Sequence, residues 1–92
     1  MNNNEVSNNE ARHRYELSEA GETAFAVYQV EGNRVLFTHT VVPEALEGKG
    51  VGSRLVAAAL DDVRARRLKA VPLCAFVEHY FDKHPEVRDL LP

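Results

Sequence analysis

Cys74 is the only cysteine among 92 residues. One thiol cannot build an intramolecular disulfide framework, and its solitude suits a reducing, cytoplasmic setting. Long apolar runs are missing too, so no segment reads as a membrane span. The Asn-rich, acidic start over residues 1–10 lacks the charged and apolar regions of a signal peptide and is expected to be a disordered polar tail. Positive charge is not in excess. A net charge of −3 leaves no basic surface of the kind that sequence-independent nucleic-acid binding requires. Metal-ligand spacing is also lacking: His13, His39, His79, His84 and Cys74 form no zinc-finger pair, and His79 and His84 face different directions on a helix. There are no internal repeats and no linker. Residues 11–92 therefore read as a single domain, near the lower end of what folds on a hydrophobic core alone.

Alternation of apolar and polar residues dominates the first half of that domain. Residues 12–17 alternate with His13, Tyr15 and Leu17 on one face, and residues 23–30 and 34–42 are strand-like, with turns at Gly21-Glu22 and Glu31-Gly32-Asn33. The expected arrangement is a three-stranded antiparallel meander. On its third strand Val35, Phe37, His39 and Val41 share a face, opposite Leu36, Thr38, Thr40 and Val42. From residue 50 to 67 the period becomes helical, with Leu55, Val56, Ala59, Leu60 and Val63 on one stripe and Arg54, Asp61, Arg64 and Ala65 away from it. A fourth strand over residues 69–73 follows, parallel to the third because a helical crossover joins them. A second helix over residues 75–84 is expected to bury Phe76, Val77, Tyr80 and Phe81. Pro85 ends it, and Val87, Leu90 and Leu91 anchor the tail. The fold class is α/β (α+β).

Where the third strand hands over to the first helix the chain reads Glu47-Gly48-Lys49-Gly50-Val51-Gly52-Ser53. Glycine permits positive φ and brings no Cβ, and the first amides of a helix lack intrahelical partners, so such a junction can cradle an anion, most often phosphate. It is not a nucleotide-triphosphate loop, because Gly50 rather than Ser or Thr follows Lys49. Nor is it the dinucleotide fingerprint, whose third glycine comes three residues after the second. Cys74 would start the second helix, at the carboxyl end of the fourth strand, as the glycine loop lies at the carboxyl end of the third. Ligands of open sheets collect at such ends, so these distant residues converge.

The glycine loop resembles the acetyl-CoA loop of the GNAT superfamily of N-acetyltransferases, Arg/Gln-x-x-Gly-x-Gly/Ala. Glu47 takes the first position, Gly50 the fourth and Gly52 the sixth, with Val41-Val42-Pro43-Glu44 and Ser53-Arg54-Leu55-Val56 as the flanking strand end and helix start. Pro72-Leu73-Cys74, His84-Pro85 and His39-Thr40 are similar to motifs of the small single-domain branch of that superfamily, so the resemblance covers roughly residues 11–91. Glu47 is the departure, standing where a cation or amide is usual. Its carboxylate would repel a pyrophosphate unless it pointed to solvent.

The resemblance implies a bulged strand before the loop and acetyl-CoA as co-substrate, with no metal. Amides of Glu47, Gly48, Lys49, Gly50, Val51, Gly52, Ser53 and Arg54 would grip the pyrophosphate, and the backbone of Val41 and Val42 would pair with the pantetheine arm. Lys49 and Arg54 are also candidates for CoA phosphates. Cys74 would lie beside the CoA thiol as nucleophile, base or pocket lining, since a thiolate is a strong nucleophile and a free cysteine is often simply packed. His39 could take a proton from an ammonium acceptor. The expected function is acetyl transfer to an unidentified amine, on a small molecule or a protein, by a monomer or homodimer with no nucleic-acid or membrane partner. The alternatives are a non-catalytic CoA-binding module and a plain interaction domain. The Arg64, Arg66, Arg67 and Lys69 cluster at a helix end suits the helix dipole and reads as structural.

Overall fold

Side chains that alternate across a pleat can bury one face of a sheet, and a helical stripe of matching width can cover it. The computed structural model describes residues 5–92 and realises that arrangement. In chain order come β1 (Val6–Asn9), β2 (Arg14–Glu19), β3 (Glu22–Glu31), β4 (Arg34–Val41), α1 (Val51–Ala65), β5 (Lys69–Pro72) and α2 (Ala75–Lys83). Short 3-10 segments occupy Glu10–Arg12, Glu44–Leu46 and Pro85–Leu90. The five strands form one sheet in the order β1-β2-β3-β4-β5, antiparallel as far as β4 and parallel between β4 and β5.

The expected meander is therefore present with one more strand at its outer edge. The polar start was read as a disordered tail over residues 1–10, but from Val6 onward it pairs with β2, Val6 opposite Leu17 and Asn9 opposite Arg14. The physical reason lies in what its polar side chains bond. Asn8 Oδ1 accepts the Tyr28 hydroxyl at 2.7 Å, Asn9 Nδ2 donates to Glu16 at 3.2 Å, and Val6 packs against the core. Residues 1–4 of that expected tail lie outside the described residues.

One irregularity in β4 reorganises the sheet. Tyr28 pairs with Phe37, but the next residue back along β3, Val27, pairs with His39, so Thr38 is an extra residue on β4. This is a β-bulge, which bends a strand and offsets its alternation by one. Directly paired residues point to the same side of a sheet. Thr40, opposite Ala26, therefore shares the helix-covered face with Phe37, and His39, opposite Val27, is turned to the other. The expectation that His39 shares a face with Val35 and Phe37, opposite Thr40, fails for this reason.

The core lies between one sheet face and the helices. Tyr15, Leu17, Ala26 and Phe37 of the sheet meet Leu55, Val56, Ala59, Leu60 and Val63 of α1, with Val77 and Phe81 of α2 and Leu90 beyond it, in one buried cluster. The α1 stripe is thus as the sequence predicts. On α2, Val77 and Phe81 are buried, Tyr80 is half-buried and Phe76 stays 40% exposed, a departure from expectation. The opposite sheet face, with Phe25, Val27, Leu36 and Val71, is half-buried and carries no helix layer among the described residues. There, the Arg14 guanidinium lies 4.3 Å above the Phe25 ring and donates to Glu16 at 2.6 Å. Among the described residues no helix is long and apolar enough to cross a membrane.

Two measurements check this account. Leu55, fully buried, should cost about 2–5 kcal/mol on truncation to alanine in urea unfolding. Tyr15 donates to Asp62 at 2.6 Å, yet Asp62 also holds Arg66 at 3.0 Å, so Tyr15→Phe should cost only about 1 kcal/mol. The second measurement concerns pH. The hydrogen bond from Arg14 holds the Glu16 carboxyl below the usual carboxylate range. A depressed carboxyl contributes stability above its unfolded value of about 4.3, lost as pH falls through the lower folded value. Melting temperature should therefore drop below that point, and less steeply in Glu16→Gln.

Candidate functional site

Two neighbouring parallel strands part company here. Pairing between β4 and β5 stops at Phe37 opposite Pro72. The Phe37 carbonyl then accepts the amides of both Leu73 (3.0 Å) and Cys74 (3.1 Å), the last backbone ties between the two. Beyond them β4 runs on to Val41 paired with β3 alone, while the other chain turns into α2. The bulge at Thr38 falls just where the strands diverge, as expected of a feature that bends one strand away from its neighbour.

The fork opens onto a groove of about 580 Å³. Thr40, Val41 and Val42 form one wall, the chain from Leu46 through Gly48 and Gly50 to Ser53 another, and Phe76 a third. Gly48 and Gly50 have φ of +79° and +74°, left-handed values that a side chain disfavours. Gly50 caps α1 with no side-chain hydrogen bond, so the amides of the first turn keep their donors free of any cap at the positive end of the helix dipole. Gly52 is helical, and its role is different. A Cβ there would sit 2.4 Å from Cζ of Phe76, so the ring is seated on the bare glycine.

Of the ten residues expected at a donor site, Val41, Val42, Glu47, Gly48, Gly50, Val51, Gly52 and Ser53 line this groove. Lys49 is an exposed residue of the same loop. Arg54 is directed elsewhere: its guanidinium donates to Glu5 and to Glu19, both at 2.8 Å, tying α1 to the β1–β2 edge. Glu47 is extended and exposed at the rim.

Cys74 is half-buried and is the N-cap residue of α2. Its Sγ lies 3.3 Å from Thr40 Oγ1, so a residue of the groove wall touches the thiol across the fork. His39 is not part of this pair. It is exposed, on the opposite sheet face, with Nδ1 3.1 Å from Thr38 Oγ1. Thr40, Leu46 and Phe76 also line the groove without having been assigned to it from the sequence, where Thr40 figures only within the His39-Thr40 motif. A glycine in the first turn of the helix signals that something packs against it, but not what. Nothing in the alternation pattern announces the bulge that aims Thr40. Among the described residues no three His, Cys, Asp or Glu side chains gather as a metal site.

The fold is a mixed α/β sheet with a bulged strand, a fork and a glycine-capped helix facing it, and residues 14–90 match the model of the GCN5-related N-acetyl-transferase family. The chain belongs to that family. Among its relatives are Protein NATD1 of Gallus gallus and of Mus musculus, each 34% identical over 70 residues that cover 75% of this chain and 64% of theirs. The alignment thus takes in less than two thirds of those relatives. The NMR structure of a GCN5-like candidate N-acetyltransferase from Staphylococcus aureus superposes with a TM-score of 0.74 at 27% identity, covering 100% of this chain and 91% of that one.

The two groove glycines should respond differently to alanine. Gly50→Ala meets nothing within 4 Å but must hold a left-handed φ, costing about 1–2 kcal/mol in urea unfolding. Gly52→Ala gains about 1 kcal/mol of helix propensity but must push out the Phe76 ring. It should leave stability nearly unchanged while shifting the Phe76 ring protons in NMR spectra.

Proposed function

We propose that the groove holds acetyl-CoA and that the domain transfers its acetyl group to an amine. The observation that carries this reading is one of placement. The free amides at the start of α1 and the unpaired side of β4 face the same groove, and Thr40 in its wall touches Cys74, which lies just behind that wall. The residues present fit such a donor. Left-handed Gly48 and Gly50 let the backbone wrap closely around a pyrophosphate, and the α1 amides donate to it. The open edge at Val41 and Val42 offers backbone groups to the amides of a pantetheine arm, which would run into the fork as an extra strand does.

Side-chain charge contributes little by comparison. Arg54 is engaged with two carboxylates, Glu47 stands at the rim, and Lys49 is the cation that the loop itself offers. Affinity would rest on oriented amides, whose dipoles need no reorganisation when charge develops. In the transfer itself, the amine nitrogen forms a C–N bond to the thioester carbonyl carbon, the C–S bond breaks, and the CoA sulfur leaves as thiolate or thiol. The proton shed by nitrogen passes to a base or to water. Cys74 at the fork is the side chain best placed to act on that carbon or on that proton, and His39 remains the weaker candidate because the bulge turns it outward. Positioning supplies much of the rate in such a step, and no metal is called for.

The acceptor is an unidentified amine of a small molecule or protein, with the sheet's uncovered face leaving room for a large one or for a second copy of the chain. The single thiol fits a reducing, cytoplasmic location, and a net charge of −3 gives nucleic acid no purchase. A non-catalytic CoA-binding module is the second reading, favoured by Glu47 at the loop and by the engagement of Arg54.

Calorimetric titration with CoA and acetyl-CoA, beside thermal melts, tests the donor site. Saturable binding should raise the melting temperature, by the equivalent of about 2.7 kcal/mol at a hundredfold excess over Kd. No heat and no shift at millimolar ligand would end both CoA readings. With binding established, Cys74→Ala should retain it and lose at least about tenfold in turnover on an amine panel if the thiol takes part. Binding with no turnover on any amine would favour the second reading.

A further inference from the structure

Cys74 is fixed at its backbone and steered at its side chain by different devices. Its amide donates to the Phe37 carbonyl at 3.1 Å, and its own carbonyl accepts the Glu78 amide at 3.0 Å, so the Cα position is set by the last tie of β5 and the first turn of α2. Neither bond decides where Sγ points. The polar group that Sγ meets is across the fork: Thr40 Oγ1, 3.3 Å away. Thr40 reaches it only because the extra residue at Thr38 turns it onto the Phe37 face, and the same offset removes His39 from that face. Threonine is β-branched and stiff at χ1, so its hydroxyl is presented in a restricted direction from an extended strand.

We propose that Thr40 is the positioning residue for Cys74, its hydroxyl holding the thiol toward the groove and donating to the sulfur when the thiol ionises. The inference deepens the acetyl-transfer reading, and its kinetic part rests on that reading. A neutral thiol can either donate to the Thr40 oxygen or accept from it, but a thiolate can only accept. A hydroxyl bonded to a charged acceptor is held more strongly than one bonded to a neutral acceptor. The other ionisable side chains on the segments around the fork are His39 at the end of β4, Glu44, Glu47 and Lys49 between β4 and α1, and Glu78, His79, Asp82 and Lys83 on α2. Among the described residues Sγ has its hydrogen bond to Thr40 and to none of these. Thr40 is thus the polar group through which the fold acts on the thiol.

Because the chain has one cysteine, thiol alkylation reads this site and nothing else. The full chain would be treated with iodoacetamide across pH 6–10 as wild type, Thr40→Val, Thr40→Ala and Thr40→Ser, with melting temperatures recorded alongside. In this reaction Sγ forms a bond to the reagent carbon, iodide leaves, and the thiol proton goes to solvent. Thr40→Val matches the shape without the hydroxyl. It should slow alkylation near neutral pH by about three- to tenfold, with Thr40→Ser restoring the rate. Should the valine variant fail to fold, the alanine and serine pair makes the same comparison.

Coinciding profiles for wild type and the hydroxyl-free variants would overturn the proposal, as would faster alkylation without the hydroxyl. The kinetic arm is separate. With an active amine substrate, Thr40→Val should lower kcat while leaving the KM for acetyl-CoA nearly unchanged, and a rise in KM with kcat intact would also overturn it. If wild type binds no CoA but the alkylation profiles still separate, the acetyl-transfer reading falls and the Thr40–Cys74 pairing stands. If CoA binds and turns over but the profiles coincide, the reverse holds.

Discussion

One extra residue in one strand governs this molecule. Without Thr38 as an insertion, β4 would alternate evenly. His39 would then share the buried side with Phe37, and Thr40 would face the uncovered side of the sheet. The bulge exchanges them, and it does so at the point where β5 stops pairing. The same distortion therefore sets three things at once: which side chain reaches Cys74, where the two parallel strands diverge, and which stretch of β4 is left without a second neighbour. A bulge costs a ladder hydrogen bond or two. It persists here because the flanking residues are held hard, with Phe37 fully buried on one side and Ala26 fully buried opposite Thr40 on the other.

The groove that follows is built mostly from backbone. Two left-handed glycines and the free amides of the first turn of α1 supply its polarity, and apolar Val42, Leu46 and Val51 supply much of its wall. The charges nearest to it have structural duties. Arg54 leaves the loop to join Glu5 and Glu19, and in doing so clamps the start of β1 and the end of β2 to the helix. These pairs are exposed, so solvent screens them and they add little to stability. Their consequence is more one of address than of stability, because the guanidinium that sequence would assign to a phosphate is drawn to the sheet edge instead. A site that relies on amides is indifferent to that loss, since amide direction is fixed by the helix and not by a flexible side chain.

What the sequence disclosed, and what it withheld, divides along the same physical line. Periodicity reports burial, so the α1 stripe from Leu55 to Val63, the antiparallel strands and the parallel return of β5 were all legible. Glycines report backbone conformation, so Gly48 and Gly50 were legible as a turn before a helix. β1 was not, because Asn8 and Asn9 are bonded to Tyr28 and Glu16, and polar strands leave no hydrophobic rhythm. The bulge was legible only as an implication of the family resemblance, because a single inserted residue leaves Val35 through Val41 looking like an unbroken strand. Thr40 and His39 were accordingly assigned to the wrong faces. Phe76 was misplaced for another reason: helical spacing put it with Val77 and Phe81, whereas its real partner is Gly52, on a different helix.

That contact shows how so small a domain keeps a groove open. Among the described residues helices cover one face of the sheet only, so no second layer there holds β4 and β5 apart. The separation is instead held by small groups placed at its margins. Phe76 rests on Gly52 and props the start of α2 against the start of α1, while Cys74 and Thr40 meet at 3.3 Å where the ladder between the strands has ended. A larger residue at 52 would move the ring, and a residue without a hydroxyl at 40 would release the thiol, yet neither change need disturb the buried cluster that folds the chain. Stability and the shape of the site are thus carried by different residues. The core from Tyr15 to Leu90 fixes the sheet and helices, and four side positions, Thr40, Gly52, Cys74 and Phe76, decide what the space between them can do.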